Sequence, residues 1–184
     1  MVVADRRVVL DAEAMRRSLW RLAHEVLERT DDVHPLVLVG IERRGSQLAN
    51  RLAALIGQVG DAQPGVAALD TTPFRDDERR QGTETPPSVQ TAGCQVVIVD
   101  DVLFTGRTAR AAIAAVLAAG RPQVIRLLVL VDRGHRELPI RPDFVGKNIP
   151  TAREDEVAVH LEEVDGVDEV LVVGHSVGSA ATNL

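Results

Sequence analysis

Apolar positions recur along the chain in two different periods, one typical of helices and one typical of buried strands. Residues 11–29 open on Asp11, a residue type that caps helices, and then repeat apolar side chains every three or four positions. The run LVLVGI at 36–41 is apolar throughout, as in a strand that is covered on both faces. The helical repeat in the first segment is made by Met15, Leu19, Leu22 and Val26.

The alternation of strand and helix continues to the end of the chain. We predict strands at 65–70, at 96–101 ending on Asp100 and Asp101, and at 124–131, and helices at 46–57 closed by Gly57 and at 108–119 stopped by Gly120. Residues 157–164 and 167–174 are shorter strand candidates. This order predicts an α/β fold with a mostly parallel central sheet and helices on both of its faces.

One polar stretch interrupts the pattern. Residues 71–93 are rich in charge, Gly and Pro and have no period, which predicts a long flexible loop inside a single domain that spans residues 1–173. The small and polar residues of 174–184 predict a disordered tail.

Composition narrows the class of protein. Of 184 residues, 45% are hydrophobic but only 2% aromatic, so the core must be built from Val, Leu, Ile and Ala, which suits parallel strands. A net charge of −6 argues against a wholly basic nucleic-acid binder, although a local basic face remains compatible with it. No apolar run reaches the roughly 18 residues of a membrane span, and the lone Cys94 excludes an internal disulfide. We therefore expect a soluble cytoplasmic protein without membrane contact.

The segment VVIVDDVLFTGRTA at 96–109 carries the most specific chemistry. In parallel sheets, ligands bind beyond the carboxyl ends of the strands, and a Gly-containing turn at the start of a helix can hold a phosphate with its N–H groups. Two carboxylates would repel that phosphate unless they accept hydrogen bonds from hydroxyl groups elsewhere on the same ligand, as in a ribose 5-phosphate. The alternative is that Asp100 and Asp101 only cap the next helix.

This segment resembles the phosphoribosyl diphosphate motif of the type I phosphoribosyltransferases. Residues 40–53, 70–77 and 129–151 also resemble blocks of the bifunctional pyrimidine operon attenuator and uracil phosphoribosyltransferase family. The resemblance implies a type I phosphoribosyltransferase fold with a small hood over the base site. It also implies conversion of uracil and phosphoribosyl diphosphate to UMP and diphosphate, binding of the leader mRNA of the pyrimidine operon, and a homodimer or homotetramer.

The resemblance also assigns roles to residues. It places the ribose hydroxyls on Asp100 and Asp101 and implies that Mg²⁺ arrives with the substrate's diphosphate, without a direct protein ligand. The 5-phosphate would be held by Phe104, Thr105, Gly106, Arg107 and Thr108, and the diphosphate by Arg43, Arg44 and Gly45. Arg43 and Arg44 could instead be an ordinary solvated pair of charges.

The active-site loop of the family corresponds to the start of the polar stretch, where Arg75 would be catalytic beside Asp76 and Asp77. A solvated charge run is the alternative. Here the chain departs from the family pattern, because Thr71, Pro73 and Phe74 stand where the family usually has Ile, Leu and Tyr. The departure leaves open a protein that senses the nucleotide without catalysing its formation.

For the base, the resemblance indicates Asp132, Arg133, Phe144 and Val145, with Phe144 stacking on the ring. Phe144 as an ordinary core residue is the alternative. A purine phosphoribosyltransferase also remains open, although those enzymes usually carry Lys at the position of Asp132, and an acid there favours a pyrimidine.

For RNA, the resemblance indicates one side of the first helix, with Arg17, Arg21, His24 and Arg29. An ordinary solvated face is the alternative. The acidic net charge and Glu42, where relatives tend to be neutral or basic, count against strong RNA binding.

Overall fold

The computed structural model describes residues 5–32, 34–60, 63–74 and 90–174. In these ranges strands and helices alternate as the pattern predicts. The strands are β1 (Asp5–Leu10), β2 (Leu36–Ile41), β3 (Gly65–Leu69), β4 (Gln95–Leu103), β5 (Val124–Asp132), β6 (Phe144–Asn148), β7 (Glu156–His160) and β8 (Glu169–Gly174). The helices are α1 (Ala12–Glu28), α2 (Arg44–Val59), α3 (Arg107–Ala119) and the short α4 (Glu162–Asp165), with a 3₁₀ turn at Thr72–Phe74.

Five strands form a central parallel sheet in the order β3-β2-β4-β5-β6. The chain therefore moves outward in one direction from β2 to β3, and in the other direction from β4 to β6. In sheets of this kind the reversal opens a crevice at the carboxyl ends of the two strands where it occurs. That point lies between β2 and β4, which are paired over Leu36–Gly40 and Gln95–Val99.

Helices cover both faces of the central sheet, because successive side chains of its strands point to opposite sides. Helices α1 and α2 pack on one face, whose buried strand residues include Leu38, Val97, Val99, Leu128 and Leu130. Helix α3 packs on the other face through Ala109, Ala112, Ala115 and Val116, against Val39, Val96, Ile98, Leu127 and Val129. The small side chains of α3 let the helix approach the sheet closely, so the buried residues described on this face include no aromatic side chain.

The remaining three strands form a separate antiparallel sheet in the order β1-β8-β7, which we call the small sheet. Its strand β7 contacts β4 of the central sheet. Arg51 of α2 also anchors it, since the Arg51 guanidinium bonds the carboxylates of Glu163 and Asp168 at 2.6 to 2.9 Å. The small sheet is thereby fixed against α2 beside the carboxyl end of the central sheet.

Most predicted elements are confirmed within a residue or two. The Asp11 cap accepts the Ala14 N–H at 2.7 Å, and the predicted apolar residues of α1 are buried. Gly57 was wrong as a helix end, because α2 continues to Val59 and is followed by Gly60. The last two candidates form β7, α4 and β8, and so add to the small sheet. Strands β1 and β6 were not predicted.

Two sequence predictions fall largely outside the described residues. Of the predicted loop at 71–93, residues 75–89 lie outside them, and so do residues 175–184 of the predicted tail. In the part of the chain that the structure covers, no helix is both long and apolar enough to cross a membrane.

The packing of β5 on β6 gives a stability prediction at Gly146. A Cβ atom there would lie 2.4 Å from the carbonyl oxygen of Leu130, so the backbones would have to separate. Gly146→Ala should lower the free energy of unfolding by about 1–3 kcal/mol.

A matched control is Gly57→Ala in α2, where the added Cβ would first meet the Gln63 side chain at 3.5 Å. This change should be neutral or stabilising by about 0.5 kcal/mol, because Ala favours a helix. Urea unfolding measures both variants, and equal stabilities for the two would contradict the close approach at Gly146.

Candidate active site

Asp100 and Asp101 lie near the carboxyl end of β4, beside the crevice between β2 and β4. The strand does not end on them as predicted but continues to Leu103. Asp100 is only 8% exposed, and its Oδ1 accepts the Asp101 N–H at 3.0 Å, while Asp101 Oδ1 accepts the Val102 N–H at 2.8 Å. Two adjacent acids are thus held with little water around them.

Burial determines the ionisation of this acid pair. It raises the pKa of Asp100 well above the ordinary value, and the charge of Asp101 raises it further. Burial also raises the pKa of Asp101, opposed by the Val102 N–H and by the positive charge of Arg44. The ligand-free pair therefore holds protons at a higher pH than ordinary carboxyl groups do.

Residues 104–106 join β4 to α3, and we call them the β4–α3 turn. Gly106 has φ +92°, in the left-handed region that favours glycine, and α3 begins at the next residue. A cavity of about 320 Å³ opens here. It is lined by Asp100 and by residues 102–109, which include the predicted Phe104, Thr105, Gly106, Arg107 and Thr108. Asp100 and the N-terminus of α3 thus share one cavity.

The N-terminus of α2 approaches the acid pair from the other side. A Cβ on Gly45 would lie 2.4 Å from the Val99 carbonyl oxygen and 3.3 Å from Asp100 Cα, so only glycine fits. Arg43 is exposed, a cis peptide bond joins it to Glu42, and Arg44 starts the helix. The positive ends of two helices therefore face the crevice that contains the acids.

Arg44 is not a freely solvated charge. Its Nε and Nη2 donate to the two oxygens of Asp165, the last residue of α4, at 3.2 and 2.8 Å. This pairing lowers the pKa of Asp165, and the nearby charge of Asp101 adds to the stabilisation of the Arg44 cation.

The loop after β5 is hydrogen-bonded to the β4–α3 turn. Arg136, which the sequence did not single out, donates to the carbonyl oxygens of Phe104 at 2.8 Å and of Ile140 at 3.1 Å, and bonds the carboxylate of Asp132. The Thr105 carbonyl in turn accepts the N–H groups of residues 137 and 138. Residues 132–140 and 103–106 thus form one bonded unit.

Two of the predicted base-binding residues belong to this unit. Asp132 accepts the Gly134 N–H at 2.9 Å in addition to its bond with Arg136. The Arg133 guanidinium lies 4.1 Å from the centre of the Phe104 ring and is buried, which lowers its pKa. Both side chains therefore lie beside the β4–α3 turn.

The other two do not reach the site. Phe144 is 1% exposed in the core beneath α1, and its partner in β5 is Leu128, four residues before Asp132 at the carboxyl end. At about 3.3 Å a residue, the ring lies more than 10 Å short of that end. The structure thus places Phe144 among the core residues, and Val145, paired with Val129, lies one residue nearer that end.

The predicted RNA-binding side chains of α1 are exposed along the edge formed by α1 and β6. Arg17 bonds Glu13, while Arg21 bonds Glu25 and the carbonyl oxygens of Val145 and Gly146. The Arg29 guanidinium covers the Phe144 ring at 5.2 Å, and the His24 ring stacks near Trp20 at 6.1 Å.

The predicted catalytic Arg75 lies outside the described residues. Its neighbour Phe74 is held by α3, because the Arg110 Nη2 donates to the Phe74 carbonyl at 2.9 Å. Among the described residues, no group of three or more His, Cys, Asp or Glu side chains could hold a metal ion.

The parallel sheet has a buried acid pair near the point where its strand order reverses, and the β4–α3 turn follows that pair. These features define the class of protein. The chain belongs to the phosphoribosyl transferase domain family, whose model matches residues 7–165.

Curated relatives narrow the class further. The chain is 53% identical over 171 residues to the bifunctional protein PyrR of Trichormus variabilis, which covers 91% of the chain and 95% of the relative. It is 49% identical over 176 residues to the bifunctional protein PyrR of Pelotomaculum thermopropionicum, with 92% and 96% covered. It is 46% identical over 167 residues to the pyrimidine operon regulatory protein of Lactococcus lactis, with 91% and 96% covered.

Solved structures agree on the fold. A hypoxanthine phosphoribosyltransferase of Staphylococcus aureus superimposes with a TM-score of 0.72 at 19% identity, covering 94% of each chain. The enzyme of Trypanosoma cruzi in complex with IMP gives 0.71 at 16% identity, covering 93% of this chain and 95% of that one.

The raised pKa values predict how stability depends on pH. Below the ordinary carboxyl pKa near 4, both folded and unfolded states are protonated at these acids. Between this ordinary pKa and the raised folded-state values, the unfolded chain has released protons that the folded chain keeps, so stability falls as the pH rises through this range. Asp100→Asn removes much of this loss and should stabilise the ligand-free protein at pH 8 by on the order of 1 kcal/mol, or about 2–4 °C in Tm.

Urea unfolding of wild type and Asp100→Asn between pH 5 and pH 8 measures this effect, since other titrating groups cancel in the difference. The advantage of the variant should grow with pH. A difference that stays constant over this range would contradict the buried, protonated pair.

Proposed function

We propose that the chain transfers the phosphoribosyl group of phosphoribosyl diphosphate to uracil, giving UMP and diphosphate. The observation that supports this most is the position of Asp100 and Asp101 between the N-termini of α2 and α3. A ligand with neutral hydroxyls in its middle and an anion at each end matches this arrangement of acids and helix ends.

In this proposal the 5-phosphate lies at the start of α3, in the cavity lined by residues 104–108. The N–H groups of the first turn have no acceptors within the helix, and the Arg107 N–H donates to Thr105 Oγ1 at 3.4 Å. Phosphate oxygens can accept from N–H groups in this position. Gly106 allows the turn to present them, and the bonded loop at 136–140 keeps the turn rigid before the ligand arrives. Rigid donors cost little reorganisation on binding.

The diphosphate lies at the start of α2, near Arg43, Arg44 and Gly45. Mg²⁺ would arrive here as a complex with the substrate's diphosphate, because Mg²⁺ retains several waters and needs few protein carboxylates. When bound, it neutralises charge on the leaving diphosphate. The fixed Arg44 guanidinium and the N–H groups of α2 provide the protein's own share of that stabilisation.

The reaction breaks the bond between C1 of the ribose and the diphosphate oxygen and forms a bond from C1 to N1 of uracil, which loses its proton. Positive charge builds on the ribose ring as the leaving group departs. A sugar cation next to Asp100 and Asp101 favours their ionised forms, which reverses the protonation of the ligand-free pair. We propose that Arg75 contributes from the adjoining loop.

For the base, a pyrimidine is supported by the similarity to relatives named pyrimidine operon regulatory protein and bifunctional protein PyrR. Asp132 also fits this choice, since its charge is balanced by Arg136 and the position provides no Lys for a purine carbonyl. We propose that Asp132 and Arg133 shape the base site through the loop that they order.

Turnover tests the proposal directly. With Mg²⁺ and phosphoribosyl diphosphate, the protein should consume uracil in preference to hypoxanthine, guanine and orotate. Asp100→Asn combined with Asp101→Asn should lower kcat by about 100-fold or more, because the developing cation loses its counter-charge. Asp11 bonds the Ala14 N–H of its own helix and does not line the cavity beside Asp100, so Asp11→Asn, which keeps a good helix cap, should retain full activity.

Consumption of a purine or orotate alone would contradict the choice of uracil, and unchanged turnover in the double variant would contradict the role of the acids. Tight UMP binding without any turnover would instead identify a nucleotide sensor.

We further propose that the chain binds the leader RNA of a pyrimidine operon in response to UMP. The supporting observation is that Arg17 and His24 of α1 stand exposed beside β6, whose Lys147 is also exposed, so a local basic edge exists despite the acidic total. UMP binding would act on this edge only if the two ligands favour the same form of the protein.

Salt dependence tests RNA binding. The affinity for a leader RNA should rise with UMP and fall steeply as salt is added, because phosphate contacts release counterions. Arg17→Ala with His24→Ala should weaken binding by about 3–10-fold and reduce the salt slope.

Arg16→Ala is the matched control, since Arg16 shares the Glu13 carboxylate with Arg17 but lines a groove between α1 and α2 that includes Leu55. Filter binding measures all of these affinities. Retention that is absent or insensitive to salt would contradict the RNA-binding proposal.

A further inference from the structure

Asp165 lies outside every motif of the sequence, yet its carboxylate meets an arginine of the proposed diphosphate site. It ends α4 in the connection between β7 and β8, 121 residues from Arg44 along the chain. We propose that Asp165 is a positioning residue that holds the Arg44 guanidinium at the diphosphate site and away from the acids of the sugar site. This inference rests on the proposed function.

The geometry of the pair is that of a fixed contact. Arg44 uses Nε and Nη2 against both oxygens of Asp165, the bidentate arrangement that orients a guanidinium best. Asp165 Oδ2 also accepts the Leu161 N–H at 2.9 Å, so the carboxylate is tied to the backbone at the start of α4. The two side chains are 33% and 20% exposed, so water screens them only in part.

Arg44 retains the capacity to bind a second anion. A guanidinium has five N–H donors, and the bond to Asp165 uses two of them. Both Nη1 hydrogens and one Nη2 hydrogen remain. Arg44 can therefore hold Asp165 and a diphosphate oxygen at the same time.

Without Asp165, the charge of Asp101 would attract Arg44. The two groups already interact, since the charge of Arg44 lowers the pKa of Asp101 against the effect of burial. An unrestrained guanidinium would turn toward the acid pair and leave the diphosphate site. Asp165 prevents this by offering a better-oriented partner.

A second ion pair provides an internal comparison. Arg51, seven residues after Arg44 on the same helix, bonds Asp168 of the same connection at 2.7 and 2.9 Å. Both pairs fasten the small sheet to α2, but only Arg44 is at the end that faces the acids. Asp168 also accepts the Glu162 N–H at 2.9 Å, as Asp165 accepts the Leu161 N–H. Loss of the Asp168 charge therefore tests the anchoring of α4 and the small sheet while the partner of Arg44 stays in place.

The experiment compares wild type, Asp165→Asn and Asp168→Asn by isothermal titration calorimetry with Mg²⁺ and either phosphoribosyl diphosphate or UMP. Asp165→Asn preserves the shape of the side chain and an acceptor for the Leu161 N–H. It should weaken phosphoribosyl diphosphate by about 5–30-fold and leave UMP, which has no diphosphate, within about twofold of wild type. Asp168→Asn should leave both affinities unchanged and lower only the Tm.

The kinetic readout has the same direction. The KM for phosphoribosyl diphosphate and the inhibition constant for diphosphate should rise together in Asp165→Asn, with a smaller change in kcat. In an Arg44→Ala background, Asp165→Asn should cause no further loss, because there is no guanidinium left to orient.

The proposal is overturned if Asp165→Asn binds phosphoribosyl diphosphate as wild type does, if it loses UMP equally, or if Asp168→Asn has the same effect. Asp165→Ala, checked for folding by its Tm, repeats the test should the Asn variant be unstable. If wild type binds phosphoribosyl diphosphate but consumes no base, the proposed transferase activity fails and the binding data alone decide the role of Asp165. If wild type binds none, both proposals fail.

Discussion

The close contact between the start of α2 and the end of β4 determines the rest of the site. Gly45 has no room for a Cβ against the Val99 carbonyl, so the helix end and the strand end meet directly. The contact occurs where the strand order of the central sheet reverses, and it places the positive end of α2 beside Asp100. With α3 starting seven residues after Asp100, the acid pair lies between the N-termini of two helices.

This arrangement costs stability in the absence of ligand. Two adjacent carboxyl groups lose most of their hydration at the end of a buried strand, and burial raises both pKa values as a result. In the proposed function, the ribose of the substrate provides the hydroxyl donors and the positive charge that these buried acids otherwise lack. In this account, burial of the two acids both destabilises the ligand-free protein and stabilises the reacting state.

Much of the fold could be predicted because its signals are local. Helix α1 is recognised by its cap and its helical repeat, and β2 and β5 by their apolar runs. The acids and the turn lie together within residues 100–108. Strand β1 could not be predicted, because Arg6 and Arg7 interrupt its apolar pattern. Its partner β8 also lies at the far end of the described chain. Asp165 and Arg136 were missed for a similar reason, because their importance arises from contacts with Arg44 and Phe104 that only the fold brings about. Phe144 shows the reverse case, because a segment that resembles a base-binding block in the sequence is placed in the core by the register of β6 on β5.

The central claim is that one ligand spans the acid pair and the turn before α3. A crystal structure of the protein with UMP tests it most directly. The account predicts the phosphate of UMP within hydrogen-bonding distance of N–H groups in residues 105–108, with the ribose hydroxyls on Asp100 and Asp101. A UMP phosphate bound elsewhere, for example in the cleft of about 900 Å³ near His34 and Gln63 at the opposite end of the sheet, with the turn vacant, would contradict it.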